Sequence, residues 1–143
     1  MTITIKKWLV FSDLDGSLLD HDSYSHQAAD ELLLELEQDH VPVILTTSKT
    51  RAEVLSIRAE LNNQHPFIIE NGAAVFIPQG YFSTKPEGCF ELDGFWIYQF
   101  CETHNHWLSI LEKAKEIFPF SFSHFAAMKE EVISQLTGLS LIQ

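Results

Sequence analysis

Between residues 8 and 77, short unbroken apolar runs alternate with stretches of helical periodicity, and that alternation admits few folds. Trp8-Leu9-Val10-Phe11 stops abruptly at Ser12-Asp13. Val41-Pro42-Val43-Ile44-Leu45-Thr46-Thr47 and Phe67-Ile68-Ile69 follow, ending at Ser48-Lys49 and at Glu70-Asn71-Gly72. Unbroken apolarity suits parallel strands buried on both faces. Between the first two runs, Ala28, Ala29, Leu32, Leu33 and Leu36 recur at three- and four-residue spacing, predicting a helix over about residues 26–39. Val54, Ile57, Ala59 and Leu61 supply the apolar face of a second helix, capped by Ser48 or Thr50 and ended by residues 62–66. Residues 73–77 form a fourth strand that folds back as a hairpin. This order implies an α/β fold: a Rossmann-like three-layer core on a parallel sheet with right-handed crossovers.

Composition shifts after Pro78. Residues 78–94 hold Gly80, Gly88 and Gly94 and read as a connector with room for one short strand. Residues 95–143 are aromatic-rich and read as largely helical, with helices over about 103–117 and 128–136. Thr137-Gly138-Leu139-Ser140 reads as a turn or a new helix start. The expected organisation is the N-terminal part of a core over residues 1–85, its sheet incomplete, and the beginning of an α/β cap over residues 86–143. The 143 residues carry 20 acidic side chains against 9 Lys and Arg, a net charge of −11, which excludes nucleic acid and anionic membrane surfaces as partners. No apolar run is long enough to span a bilayer. Lys6-Lys7 before Trp8–Phe11 mimics a targeting segment, but Asp13 and Asp15 interrupt it and no small-residue cleavage site follows. Two cysteines, Cys89 and Cys101, fit a reducing compartment, and the expected location is the cytoplasm.

Chemistry concentrates where the first strand stops, at Phe11-Ser12-Asp13-Leu14-Asp15-Gly16-Ser17. Open parallel sheets bind ligands beyond the carboxyl ends of their strands. Asp13 and Asp15, two apart on extended backbone, project to one side, with Leu14 turned the other way. Two carboxylates held that close need a cation or a proton between them. Magnesium suits the pair, because it takes one or two carboxylates and fills its shell with water and substrate phosphate. Gly16 lets the chain turn tightly. A calcium loop of the EF-hand type would need Gly and Glu where Leu18 and Tyr24 stand, and a helix before it. A plain aspartate-rich turn is the other reading. The second tip, Thr46-Thr47-Ser48-Lys49, offers hydroxyls and an ammonium to phosphate oxygens, or merely caps the next helix. The third, Glu70-Asn71-Gly72, reads alone as a hairpin turn. Three polar tips on one rim of a sheet outweigh any one of them.

Residues 10–19, 43–49 and 68–73 together resemble the haloacid dehalogenase-like hydrolases, mostly magnesium-dependent phosphatases. Ser17, the stretch Thr47-Ser48-Lys49-Thr50 and the terminal Thr137-Gly138-Leu139-Ser140 look most like the mannosyl-3-phosphoglycerate phosphatases. The resemblance implies that Asp13 is the nucleophile, forming an aspartyl-phosphate, and that Asp15 is the general acid and then the base. It implies that the Asp13 side chain and the Asp15 main-chain carbonyl ligate magnesium. Thr47 would bind the transferring phosphoryl group, with Ser48, Lys49 and Asn71 nearby. The implied substrate is a small phosphorylated sugar-acid such as mannosyl-3-phosphoglycerate. Rivals are another sugar phosphatase, a phosphomannomutase-like transferase, or a non-catalytic module that binds magnesium and phosphate.

This sequence departs from the family in one respect. The resemblance calls for a later core lysine and an acidic Gly-Asp motif. Beyond residue 94 the lysines are Lys113, Lys115 and Lys129, in helix-like segments, and no Gly-Asp pair occurs. The expectation is an N-terminal fragment, inactive or nearly so unless another chain supplies the rest. Cys89, Cys101, His104 and His106 raise a zinc question, but the two histidines diverge by about 200° on a helix. Phe90, Phe95, Trp96, Tyr98, Phe100, Trp107, Phe118, Phe120, Phe122 and Phe125 read as cap packing. Left uncovered, they form a self-association surface.

Overall fold

A computed structural model describes residues 8–118 and 122–138. The chain divides into two compact units, Met1–Cys101 and Glu102–Gln143. The first carries β1 (Val10–Ser12), α1 (Asp30–Gln38), β2 (Val43–Thr46), α2 (Arg51–Glu60), β3 (Phe67–Ile69), β4 (Ala74–Pro78), β5 (Phe90–Leu92) and β6 (Phe95–Gln99). All six strands join one sheet in the order β1-β2-β3-β4-β6-β5. β1, β2 and β3 pair in parallel, with Phe11 opposite Ile44 and Leu45 opposite Phe67. β4 then folds back antiparallel on β3, and β6 and β5 continue antiparallel. The α/β layering and the hairpin follow the sequence reading; the antiparallel extension through β6 and β5 makes the sheet mixed.

β2 fits the expectation of a strand buried on both faces, with Val43, Ile44 and Leu45 all buried. β1 does not. Among the described residues it pairs with β2 alone, Phe11 is 59% exposed, and Trp8 and Leu9 are exposed as well. Unbroken apolarity identified a strand but carried no information about its neighbours. Residues 95–99 correct the helical reading of the aromatic stretch. Phe95, Trp96, Ile97 and Tyr98 form β6, paired along its length with β4. Aromatic and β-branched residues favour a pleated surface, and β4 supplies the partner edge.

The core is a cluster of Leu14, Leu19, Val43, Leu45, Val54, Phe67, Ile69, Ala74, Phe76 and Ile97, with Leu33, Leu36, Leu55, Ile57, Leu61 and Phe95 packed against it. The helices therefore meet the sheet through part of their apolar stripes: Leu33 and Leu36 of the first stripe pack on the core, while Ala28 and Leu32 from the same predicted face are exposed. α1 starts later than its apolar pattern, at Asp30, because residues 27–29 are tied into turns by Ala29 N–H to His26 O and Asp30 N–H to Gln27 O. α2 corrects one position. Ala59 is exposed and Arg58 takes its place inward, at 7% exposure. The Arg58 guanidinium lies 4.4 Å from the Phe67 ring centroid and donates to His65 O at 2.8 Å. Burial pushes the Arg58 guanidinium below its ordinary value.

In the second unit, α3 (His104–Ile117) and α4 (Glu130–Thr137) lie close to their expected spans. Thr103 caps α3 by accepting from His106 N–H, and α4 ends on Gly138 in the left-handed region. Trp107, Ile110, Ile117, Phe118, Phe125 and Leu136 are exposed. Leu139, Ser140 and Phe120 lie outside the described residues. No described helix is long and apolar enough to cross a membrane.

Candidate active site

Three strand ends and the segments after them build one rim. After Ser12, the chain leaves the sheet and turns. Asp13 and Asp15 are exposed while Leu14 between them is fully buried, so both carboxyls face outward and Leu14 anchors the turn in the core. The turn is tied by Ser17 N–H and Leu19 N–H, both donating to Leu14 O at 3.2 and 2.8 Å. Gly16 sits at φ +67, a conformation that any other side chain would strain. Asp13 Oδ1 accepts from Leu14 N–H at 2.7 Å, which fixes the carboxylate's angle.

The tips of β2 and β3 are joined by main-chain bonds. Thr47 N–H donates to Ile68 O at 3.1 Å, Asn71 N–H to Thr47 O at 3.0 Å, and Glu70 N–H to Lys49 O at 3.1 Å. Asn71 takes φ +57, a left-handed geometry that Asn tolerates better than most residues. Thr47 is 3% exposed, and its Oγ1 accepts from Lys49 N–H at 3.2 Å. Lys49 then reaches across to the first tip, its Nζ 2.8 Å from Asp15 Oδ1. The hydrogen bond to Asp15 holds the Lys49 ammonium above its ordinary value, with smaller help from the charges of Asp15, Glu53 and Tyr24. The structure thus brings Asp15, Lys49, Thr47 and Asn71 into one bonded network, with Asp13 two residues from Asp15 on the same turn. Ser48 is exposed beside them and does not cap α2.

Two neighbours escaped the sequence reading. Glu53 closes a capping box with Thr50, accepting from its N–H at 2.8 Å and its hydroxyl at 2.7 Å. Those bonds, the hydroxyl first, hold the Glu53 carboxyl below its ordinary range. Thr50-x-x-Glu53 carries the capping-box spacing, so the signal was present. Tyr24 places its ring 5.4 Å from Lys49 Nζ. Nothing in the spacing of Tyr24 foretold that.

The donor chemistry fits magnesium. An exposed carboxylate and a main-chain oxygen on one turn are hard oxygen ligands, and this ion keeps several waters and takes phosphate oxygens for the rest. Among the described residues no group of three or more His, Cys, Asp or Glu is placed to hold a metal. Both cysteines are free.

Residues 10–86, which contain this rim, match the family described as haloacid dehalogenase-like hydrolase. The chain is 38% identical over 135 residues to a glucosyl-3-phosphoglycerate/mannosyl-3-phosphoglycerate phosphatase of Methanococcoides burtonii, covering 94% of this chain and 50% of that protein. The protein of the same name in Persephonella marina is 37% identical, over 92% of this chain and 48% of its own length. The chain therefore spans about half the length of the curated relatives it matches. In fold it is similar to a haloacid dehalogenase-like hydrolase of B. subtilis, with a TM-score of 0.53 at 22% identity over 76% of this chain and 33% of that one. A phosphatase of the haloalkanoate superfamily from Bacteroides thetaiotaomicron gives 0.56 at 17% identity, over 82% and 38%. From its strand order, its acid-bearing turn and the match over residues 10–86, this chain belongs to the haloacid dehalogenase-like hydrolases.

Proposed function

We propose that this chain carries the nucleophile half of a magnesium-dependent phosphate monoesterase acting through an aspartyl-phosphate. Asp13 attacks phosphorus, the ester oxygen leaves with a proton from Asp15, and Asp15 then takes a proton from the water that cleaves the acyl phosphate. Dividing the displacement this way replaces one high barrier by two lower ones. The Asp13 carboxylate and the Asp15 carbonyl would hold magnesium, which neutralises charge on the phosphoryl oxygens. Thr47 donates its hydroxyl proton to the same oxygens, while Lys49 and Asn71 line the rim beside it. The observation that carries the reading is the Asp15–Lys49–Thr47 network on the rim that also bears Asp13. The relatives' names support a phosphorylated sugar-acid as substrate, of the mannosyl- or glucosyl-3-phosphoglycerate kind. Free cysteines fit a reducing compartment, and we assign the reaction to the cytoplasm.

A second reading starts from the half-length match. In it, these residues bind magnesium and phosphate but turn over only when another polypeptide completes the site. Phosphate release from mannosyl-3-phosphoglycerate, with and without magnesium, tests the first reading. Magnesium-dependent release that Asp13→Asn abolishes supports it. Release indifferent to Asp13→Asn or to a chelator refutes it. Magnesium-dependent phosphate binding without release selects the second.

A further inference from the structure

We infer that Tyr24 is a positioning residue of this site, its ring holding the Lys49 ammonium against the Asp15 carboxylate. The contact stands on geometry, and its catalytic meaning rests on the function proposed above. Lys49 Nζ is 2.8 Å from Asp15 Oδ1 on one side and 5.4 Å from the Tyr24 ring centroid on the other. Both distances lie within the reach of an ion pair and of a cation–π contact.

Two features show that Tyr24 is held there by its surroundings. Its φ is +55, a left-handed conformation disfavoured for a bulky side chain, and the residue is 60% exposed, so burial does not compensate. The conformation is imposed by the loop. The Asp20 carboxylate accepts from Ser23 N–H at 2.8 Å, from the Ser23 hydroxyl at 2.7 Å and from Asp22 N–H at 3.2 Å. Tyr24 N–H donates to Asp20 O at 3.0 Å, and Asp20 N–H to Ser25 O at 2.9 Å. This bonded hexapeptide delivers the ring to Lys49.

A lysine needs such help because its four-carbon stem is flexible and its charge has no direction of its own. Two anions attract Lys49: Asp15 and Glu53. One Glu53 oxygen is committed to both Thr50 bonds. The electron-rich face of Tyr24 then narrows the ammonium to one place, on Asp15, where a charge steers the acid–base group. Leucine would cover the lysine stem equally well but offers no π face, and phenylalanine keeps the face while losing the hydroxyl.

The test is an NMR comparison of the isotope-labelled chain at one fixed pH without metal, as wild type, Tyr24→Phe, Tyr24→Leu and Lys49→Met. Expected are upfield ring-current shifts of the Lys49 ε-methylene protons in wild type and Tyr24→Phe, lost in Tyr24→Leu. The Asp15 carboxyl carbon in Tyr24→Leu should move toward its value in Lys49→Met, with backbone amides outside residues 20–25 unchanged. In the turnover assay Tyr24→Leu should lower kcat roughly two- to fivefold at unaltered KM, and Tyr24→Phe should restore it. An Asp15 carbon unmoved by Tyr24→Leu overturns the inference. A chain that shows the shifts but no phosphate release confirms the contact and removes the hydrolase reading from it.

Discussion

Thr47 has two available explanations, and a single methyl-for-hydroxyl exchange separates them. A threonine hydroxyl has one donor proton and two acceptor lone pairs. Here Oγ1 spends one lone pair on Lys49 N–H at 3.2 Å, which leaves the proton free to donate to a phosphoryl oxygen. If Thr47 serves only to shape the chain entering α2, Thr47→Val loses that one long bond. The side chain is buried, so the orphaned Lys49 N–H costs about 1–3 kcal/mol of stability. If the hydroxyl also donates to a phosphoryl group, a bond to a charged acceptor is lost as well, about 1.5–3 kcal/mol of ligand affinity. That is roughly a tenfold or greater rise in the phosphate Kd. Loss of one preorganised donor costs about 10²–10³ in kcat where turnover is measured. Thr47→Ser retains both functions and should stay near wild type in each assay. Calorimetric titration with inorganic phosphate and magnesium, beside urea denaturation of the same samples, reads both quantities. A valine variant that loses stability but binds phosphate within about twofold of wild type refutes the phosphoryl role and leaves Thr47 a turn residue.

Two further perturbations probe the frame that holds the rim. Phe67 is fully buried, stacked on Phe76 at 5.1 Å, edge-on to Phe95 at 5.6 Å and under the Arg58 guanidinium. Phe67→Ala should therefore cost about 3–5 kcal/mol, with Arg58 losing its covering ring; a loss under about 2 kcal/mol by urea denaturation would place the core elsewhere. Glu53, held below its ordinary 4.5, contributes stability that is complete above that value and lost as pH falls through its lower folded-state value. Below about pH 4.5 the melting temperature of wild type should fall more steeply than that of Glu53→Gln, and parallel curves would show that the capping box is not charge-assisted.

Local signals were legible wherever neighbours in sequence decide the outcome. β2, β3, α3 and the polar tips at Asp13, Thr47 and Asn71 all lie where apolar runs and capping residues placed them. Misreadings arose where partners distant in sequence decide. β1 has the composition of a central strand, yet among the described residues only β2 pairs with it, and the run itself carries no word of strand order. Residues 95–99 fall in a stretch that reads as largely helical, and only the open side of β4 makes them a strand. Arg58 points inward because Phe67 and the His65 carbonyl, seven or more residues away, accept its charge. Tyr24 belongs to the site only because the Asp20 loop turns it toward Lys49. Solvent exposure of Trp107, Ile117 and Phe118 could not be foreseen from their helical spacing.

The turn that bears both acids begins where a short strand ends. β1 is three residues long and, among the described residues, pairs with β2 alone. Breathing of that strand would carry Asp13 and Asp15 with it, on the timescale of amide exchange rather than of bond chemistry. How steadily the Asp13 carboxylate is held thus depends both on its bond from Leu14 N–H and on how firmly the short strand before it stays paired.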